Sequence, residues 1–165
     1  MSFTDLISDL NARGVRFVVI GGVAAGVQGS TRATFDLDIC YDPAPDNIRA
    51  LARLLADRHA YLRGVEPGLP FIMDERAFRT TPVMTLTTDA GPIDVMDHVA
   101  GVGEYPAVLA ASIEAEAFGQ RFRVLGLPAL IDAKKATGRR RDLEQLPELE
   151  ALLALRQRRG RKQRG

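Results

Sequence analysis

Val15-Arg16-Phe17-Val18-Val19-Ile20-Gly21-Gly22, followed further on by Arg32-Ala33-Thr34-Phe35-Asp36-Leu37-Asp38-Ile39, is the stretch on which the reading of this chain turns. Val15 to Ile20 is an almost unbroken apolar run rich in β-branched residues, the pattern of a strand buried on both faces. Gly21-Gly22 breaks that run, and the alanine-rich Val23 to Gln28 predicts a short helix closed by Gly29. Thr34 to Tyr41 then reads as a second strand. Its period of two places Phe35, Leu37 and Ile39 on one face and Thr34, Asp36 and Asp38 on the other.

Working outward, Phe3 to Asn11 carries Phe3, Leu6, Ile7 and Leu10 at helical spacing, with Ser2 or Thr4 as cap and Gly14 as stop. Asn47 to Arg58 predicts an amphipathic helix that turns Ile48, Leu51, Leu54 and Leu55 inward. Residues 60 to 76 contain Gly64, Pro67, Gly68 and Pro70 and read as a loop. Val83 to Thr88 and Ile93 to Val99 flank Asp89-Ala90-Gly91-Pro92, a hairpin pattern. Helix is expected over Glu104 to Ser112 and a short strand pair over Phe118 to Val124. Pro128 opens a helix to about Thr137, and Leu143 to Arg156 forms the last one. The order implies an α+β fold: a mixed β-sheet flanked by helices, with a C-terminal helical segment. No internal repeat or second domain shows. We expect a single domain over residues 1–155 and a basic, flexible tail over 156–165.

Bulk properties bound the function. At 165 residues, 46% hydrophobic and 26% charged, the chain has the make-up of one globular domain, not of a disordered segment. No apolar run is long enough to span a bilayer, and Met1 to Asp9 lacks the layout of a signal peptide. Cys40 is the single cysteine, so no internal disulfide forms, in keeping with a reducing cytoplasm. The net charge of +1 conceals an asymmetry: the last ten residues hold Arg156, Arg158, Arg159, Arg161, Lys162 and Arg164 and no acid, while the remainder is acidic. A basic end on an acidic body suits either a polyanion such as RNA or a solvated terminus.

The carboxylates point to a chemistry. A bare Asp-x-Asp is common on exposed edge strands. Here Asp36 and Asp38 share one face of a strand that follows a glycine turn, and two adjacent carboxylates resist ionisation together. A divalent cation removes that conflict, and Mg²⁺ takes hard oxygen ligands and phosphates. Asp94, between Ile93 and Val95, is an acid inside an apolar strand, where an unpaired charge is costly. If its strand lies beside the first, three carboxylates can hold a pair of cations roughly 4 Å apart, as in two-metal phosphoryl transfer. Asp42 and Asp97 are read as structural or solvated. Gly21 and Gly22 allow a phosphate to approach backbone N–H groups, although a plain tight turn would use them equally. The G-x-G-x-x-G spacing of a dinucleotide turn is not met. Arg32 is placed to balance a triphosphate or to pair with a surface acid.

Taken together, Gly21-Gly22, then Arg32-x-Thr34-x-Asp36-x-Asp38-Ile39, then Ile93-Asp94-Val95 resemble the nucleotidyltransferase superfamily of DNA polymerase beta type. The wording around the acid pair is similar to small bacterial members that act as abortive-infection toxins of toxin–antitoxin systems. The resemblance covers residues 15 to 40, 93 to 95 and 130 to 142. In the last block Lys134, Arg139 and Asp142 match a lysine, an arginine and an acid of the toxin group, whereas Arg141 stands where lysine is usual and Gln145 where a second acid often follows. The resemblance implies a nucleotidyltransferase-like fold and Mg²⁺-dependent transfer of a nucleoside monophosphate from an NTP to an acceptor hydroxyl. Asp36, Asp38 and Asp94 would be the catalytic, metal-binding acids, with Asp94 also the general base. Gly21, Gly22, Arg32, Thr34 and Lys134 would bind the nucleotide. A tRNA 3′ end is the first expectation for the acceptor; a protein hydroxyl or a small molecule such as an aminoglycoside antibiotic is the alternative. A cognate antitoxin protein is implied as partner. The competing class is a non-catalytic module of the same fold that binds RNA or a protein.

Overall fold

The computed structural model describes residues 2–66 and 68–165. Its centre is a mixed seven-stranded sheet in the order β3-β4-β5-β2-β1-β9-β8. The middle of that sheet comes from the stretch read first. β1 (Phe17–Ile20) is buried at all four residues, as a strand covered on both faces must be. It pairs antiparallel with β2 (Leu37–Tyr41) and parallel with β9 (Gln120–Leu125). β2 pairs parallel with β5 (Gly91–Met96), which is the second arm of a hairpin with β4 (Met84–Thr88). β3 (Tyr61–Leu62) extends one edge and β8 (Ser112–Ala117) the other. β6 (His98–Val99) and β7 (Gly103–Glu104) form a separate two-stranded ribbon.

The helices are α1 (Phe3–Ala12), α2 (Gly21–Val27), α3 (Pro45–Asp57), α4 (Glu75–Thr80), α5 (Tyr105–Ala110), α6 (Leu127–Thr137) and α7 (Arg140–Arg164). Leu6, Ile7 and Leu10 of α1 and Leu51, Leu54 and Leu55 of α3 enter the core, as their spacing predicts, while Ile48 is only half-buried. With the sheet flanked by helices, the α+β expectation is met.

Four local readings need correction. Thr34, Phe35 and Asp36 precede β2 instead of belonging to it, and Phe35 is 80% exposed whereas Leu37 and Ile39 are buried. Without a strand partner the alternation at Phe35 has nothing to align to. The hairpin near the C-terminal half reaches back to Ser112, which was expected to end a helix. Its two-residue turn is Phe118-Gly119, both at positive φ (55° and 72°), the conformation that matches the twist of antiparallel strands. The stretch 60–76 holds β3 and the start of α4 in addition to loop; its Pro67 lies outside the described residues. Finally, α7 begins earlier and runs later than expected, so that residues 156–164 are helical, and it passes through Pro147. Arg156 anchors it, donating to the side chain and backbone oxygens of Gln28 at 2.9 and 3.2 Å. Among the described residues no helix is long and apolar enough to cross a membrane.

Candidate active site

The parallel register of β2 and β5 sets Asp38 beside Asp94. Partners in register point to the same side of a sheet, so the two carboxylates are neighbours although 56 positions separate them in the chain. On the other side Ile20, the last residue of β1, pairs with Asp38. The chain then turns through Gly21 at φ +64°, where a Cβ would lie 2.1 Å from Asp38 Oδ2. At Gly22 a Cβ would lie 2.8 Å from Thr34 Oγ1. The glycine pair is therefore required by the close approach of Asp38 and Thr34 to the backbone. Burial pushes the Asp38 carboxyl up to about 7, helped by the charges of Asp94 and Asp36 and opposed by Lys134.

Asp36 stands before the strand, half exposed, and meets this pair through an arginine that the sequence did not flag. Arg63, directly after β3, lies 2.9 Å from Asp94 Oδ1 through Nη2 and 3.7 Å from Asp36 Oδ2 through Nη1. Its Nη2 donates to the Leu86 carbonyl at 2.7 Å. Among the described residues no three His, Cys, Asp or Glu side chains gather closely enough to hold one ion. Asp38 and Asp94 make a pair, and Arg63 bridges Asp94 to Asp36. Yet the donor set suits a divalent cation. It consists of hard carboxylate oxygens, and Asp94 Oδ1 is buried with no hydrogen-bond partner, a costly state that a cation would relieve.

The opposite wall is basic and is built by the α6–α7 turn. Gly138 ends α6 in the left-handed conformation (φ 61°), its N–H donating to the Lys134 carbonyl at 3.0 Å, the usual device for stopping a helix. α7 begins at once, which brings Asp142 back over α6. The Asp142 side chain is 1% exposed and accepts from Lys134 Nζ at 3.2 Å, Thr137 Oγ1 at 2.9 Å and Arg139 Nε at 2.7 Å. Burial alone would raise its pKa, but the hydrogen bonds from Arg139, Thr137 and Lys134 outweigh that and hold it at about 2. Asp142 thus orients the two cations that face Asp38.

α7 also fixes the loop that carries Arg32, Thr34 and Asp36. Glu148 accepts from the Ser30 hydroxyl and from Thr31 Oγ1 at 2.8 Å and Thr31 N at 3.3 Å. These bonds hold its carboxyl below the usual range. Arg32 Nη1 donates to the Arg141 carbonyl at 2.8 Å, and its Nη2 is 4.0 Å from Glu144.

The result is a cleft of about 190 Å³ lined by Gly22, Arg32, Thr34, Asp36, Asp38 and Lys134, with Arg139, Arg141, Asp142 and Gln145. Gly21 instead lines a neighbouring cavity of about 270 Å³ that is walled by Val83, Met96, Val99 and Leu130 and touches Asp38 and Lys134 from the other side. Asp94 adjoins both through Asp38. Asp42 pairs with Arg16 at 2.7 Å and Asp97 with His98 at 2.6 Å, and neither lines the cleft. Arg63 and Glu148 carried no signal, since each reaches the site from a distant segment, and Gln145 was marked only as a departure from the toxin group's second acid. Asp142 was marked only by its place in the Lys134–Arg139 block.

No family model matches the chain, and neither does any of the curated proteins. Among solved structures it is similar to the 1.87 Å crystal structure of a putative nucleotidyltransferase from Thermotoga maritima. The TM-score is 0.54 at 17% sequence identity, over 87% of each chain. The two share a fold.

Proposed function

We propose that this chain is a nucleotidyltransferase that moves a nucleoside monophosphate from an NTP to an acceptor hydroxyl. The observation that carries the reading is the Asp38–Asp94 register pair, with Asp36 two positions away, facing the Lys134–Arg139 wall across a cleft of about 190 Å³. In phosphoryl transfer most of the catalysis is positioning and charge neutralisation. Asp36, Asp38 and Asp94 would hold Mg²⁺, two ions in the reading favoured here, and the metal would supply neutralisation of the phosphate charge. The chain's own residues do the rest. Lys134, Arg139 and Arg32 line the cleft on the side that a triphosphate would occupy, and their cations offset its charge. Gly22 lines the cleft and would present its backbone to a phosphate, while Gly21 makes room for Asp38. The apolar cavity beside Asp38 suits the nucleoside. The acceptor oxygen attacks the α-phosphorus, that O–P bond forms, and the bond to the β-phosphate oxygen breaks. Pyrophosphate leaves with the electron pair, and Asp94 takes the hydroxyl proton.

For the acceptor we favour RNA, a tRNA 3′ end first, over a protein hydroxyl or a small molecule. A second groove, of about 330 Å³, is lined by Arg49, Arg53, Arg76 and Arg79. Of its two acids, Asp74 is occupied in capping α4 through the N–H groups of Arg76 and Ala77, leaving Glu75. Such a surface, with the arginine-rich end of α7, suits a phosphate backbone. A role as the toxin of a toxin–antitoxin pair follows only from the resemblance. Growth on induction, with and without the product of a neighbouring gene, tests it.

The test of the enzyme reading is Mg²⁺-dependent labelling of total RNA, of protein and of small acceptors with each radiolabelled NTP. Wild type should label one acceptor class that the Asp36→Ala, Asp38→Ala double variant does not. One observation favours a second reading, a non-catalytic binding module: Arg63 already sits against the acids. That reading requires RNA binding with no metal-dependent NTP binding by calorimetry.

A further inference from the structure

We infer that Arg63 is a built-in counter-ion that occupies the cation side of the Asp36–Asp94 cluster and must leave when a divalent ion binds, so that it sets the metal affinity of the site. The inference rests on the reading of these carboxylates as a divalent-cation site.

The geometry is that of a loose stand-in. A guanidinium committed to a carboxylate makes two parallel N–H···O bonds. Arg63 makes none of that kind here. Its Nη2 is 2.9 Å from Asp94 Oδ1, but its hydrogen bond goes to the Leu86 carbonyl at 2.7 Å. Asp94 Oδ1 and Arg63 Nε are both buried and lack a hydrogen-bond partner. Nη1 is 3.7 Å from Asp36, within reach of attraction but outside hydrogen-bond distance. Charge is therefore only partly offset, and directional bonding is left incomplete. Placing Arg63 here lowers the repulsion among the acids at the expense of stranded donors and acceptors.

The position of Arg63 makes departure cheap. It follows a two-residue strand at the sheet edge, and its backbone stays paired through N–H to the Thr85 carbonyl at 3.0 Å. The side chain is 28% exposed, so rotation into water breaks one hydrogen bond, to the Leu86 carbonyl, while the backbone bond to Thr85 is kept. A small cation can then reach Asp94 Oδ1 and satisfy it. By contrast Lys134 and Arg139 are tied to the buried Asp142 and stay.

Arg63 is a positioning residue in this account, since it acts through the carboxylates. The experiment is calorimetric titration of Mn²⁺ alone into wild type, Arg63→Gln and Arg63→Lys, with Asp36→Asn, Asp38→Asn as the metal-site control. Arg63→Gln should bind Mn²⁺ about tenfold more tightly, equivalent to about 1.4 kcal/mol, and Arg63→Lys should fall between. Unchanged or weaker binding in Arg63→Gln would overturn the inference while leaving NTP labelling, and so the proposed activity, intact. Absence of Mn²⁺ binding in every variant would overturn both. A merely structural arginine predicts lower thermal stability with no change in Mn²⁺ affinity. Should Arg63→Gln not fold, the wild-type Arg63 Nε–Hε resonance, assigned with Arg63→Lys, decides: it must shift as Mg²⁺ is added, and a signal that stays put sinks the idea.

Discussion

At Asp142 three donors converge on one buried carboxylate; at Asp94 one arginine stands near a buried carboxylate oxygen without a hydrogen bond to it. These two acids lie on either side of Asp38 and Lys134, in the same small region, and their environments are opposite. The basic wall is closed: Lys134, Thr137 and Arg139 have geometry fixed by an anion that water barely reaches. The acidic wall is open: Asp36, Asp38 and Asp94 repel one another, with Arg63 the near cation bridging Asp36 and Asp94. Fixed cations present a constant charge to an incoming phosphate, which is what preorganisation requires. Under-satisfied anions retain the capacity to take a further cation. Under the proposed function, the closed wall would supply rigidity and the open wall the chemistry.

The contrast can be broken from the acidic side first. Asp36→Asn with Asp38→Asn should reduce nucleotidyl transfer by about a thousandfold or more, the scale of losing a main charge-stabilising element, in a single-turnover assay. The same change should raise the melting temperature in metal-free buffer, because it removes repulsion. A lower melting temperature would show that the acids are already well paired. Asp142→Asn should do the reverse. Weakening the buried anion's bonds to the half-buried Lys134 and the exposed Arg139 should cost about 2 kcal/mol in urea unfolding and raise KM for NTP more than it lowers kcat.

Acid sharpens the same comparison. The folded pKa of Asp142, about 2, lies below its ordinary value near 3.9. Its contribution is therefore fully present above about pH 4 and is lost as pH falls through 2. The urea midpoint of wild type should drop over that range and that of Asp142→Asn should drop less. Gly21→Ala should have an intermediate effect. The residue sits at φ +64° and its new methyl would meet Asp38 Oδ2, so roughly 1–2 kcal/mol of backbone cost should accompany a loss of metal affinity. The smallest effect expected is that of Glu148→Gln, which loosens the Ser30–Thr31 loop from α7: a few-fold fall in kcat/KM with stability nearly unchanged, read by steady-state kinetics.

How much of this was legible beforehand varies residue by residue. Asp38, Gly21 and Gly22 were visible because a strand end, a turn and a period of two are local patterns. Phe35 was misjudged because the alternation at the mouth of a strand looks the same whether or not the residue is paired, and here pairing begins at Leu37. The end of α7 read as a tail because its charge is one-sided. What holds it, Arg156 on Gln28, spans most of the chain. Arg63 sat in a segment with Gly64 and Pro70 and no periodicity, so nothing nearby marked it.

The sequence by itself determined the parts: a buried central strand, a glycine turn that only glycine can make beside a carboxylate, an acid pair at spacing two, and a basic block around Lys134. Each follows from backbone sterics and side-chain periodicity, which act over a few residues. Only the tertiary structure decided the assembly. The parallel register set Asp38 against Asp94, the sheet edge delivered Arg63 to the acids, and the α6–α7 turn buried Asp142 under Lys134. Those contacts join segments far apart in the chain. They are fixed by which strands and helices can bury their apolar faces together, a condition on the whole core that no local stretch contains.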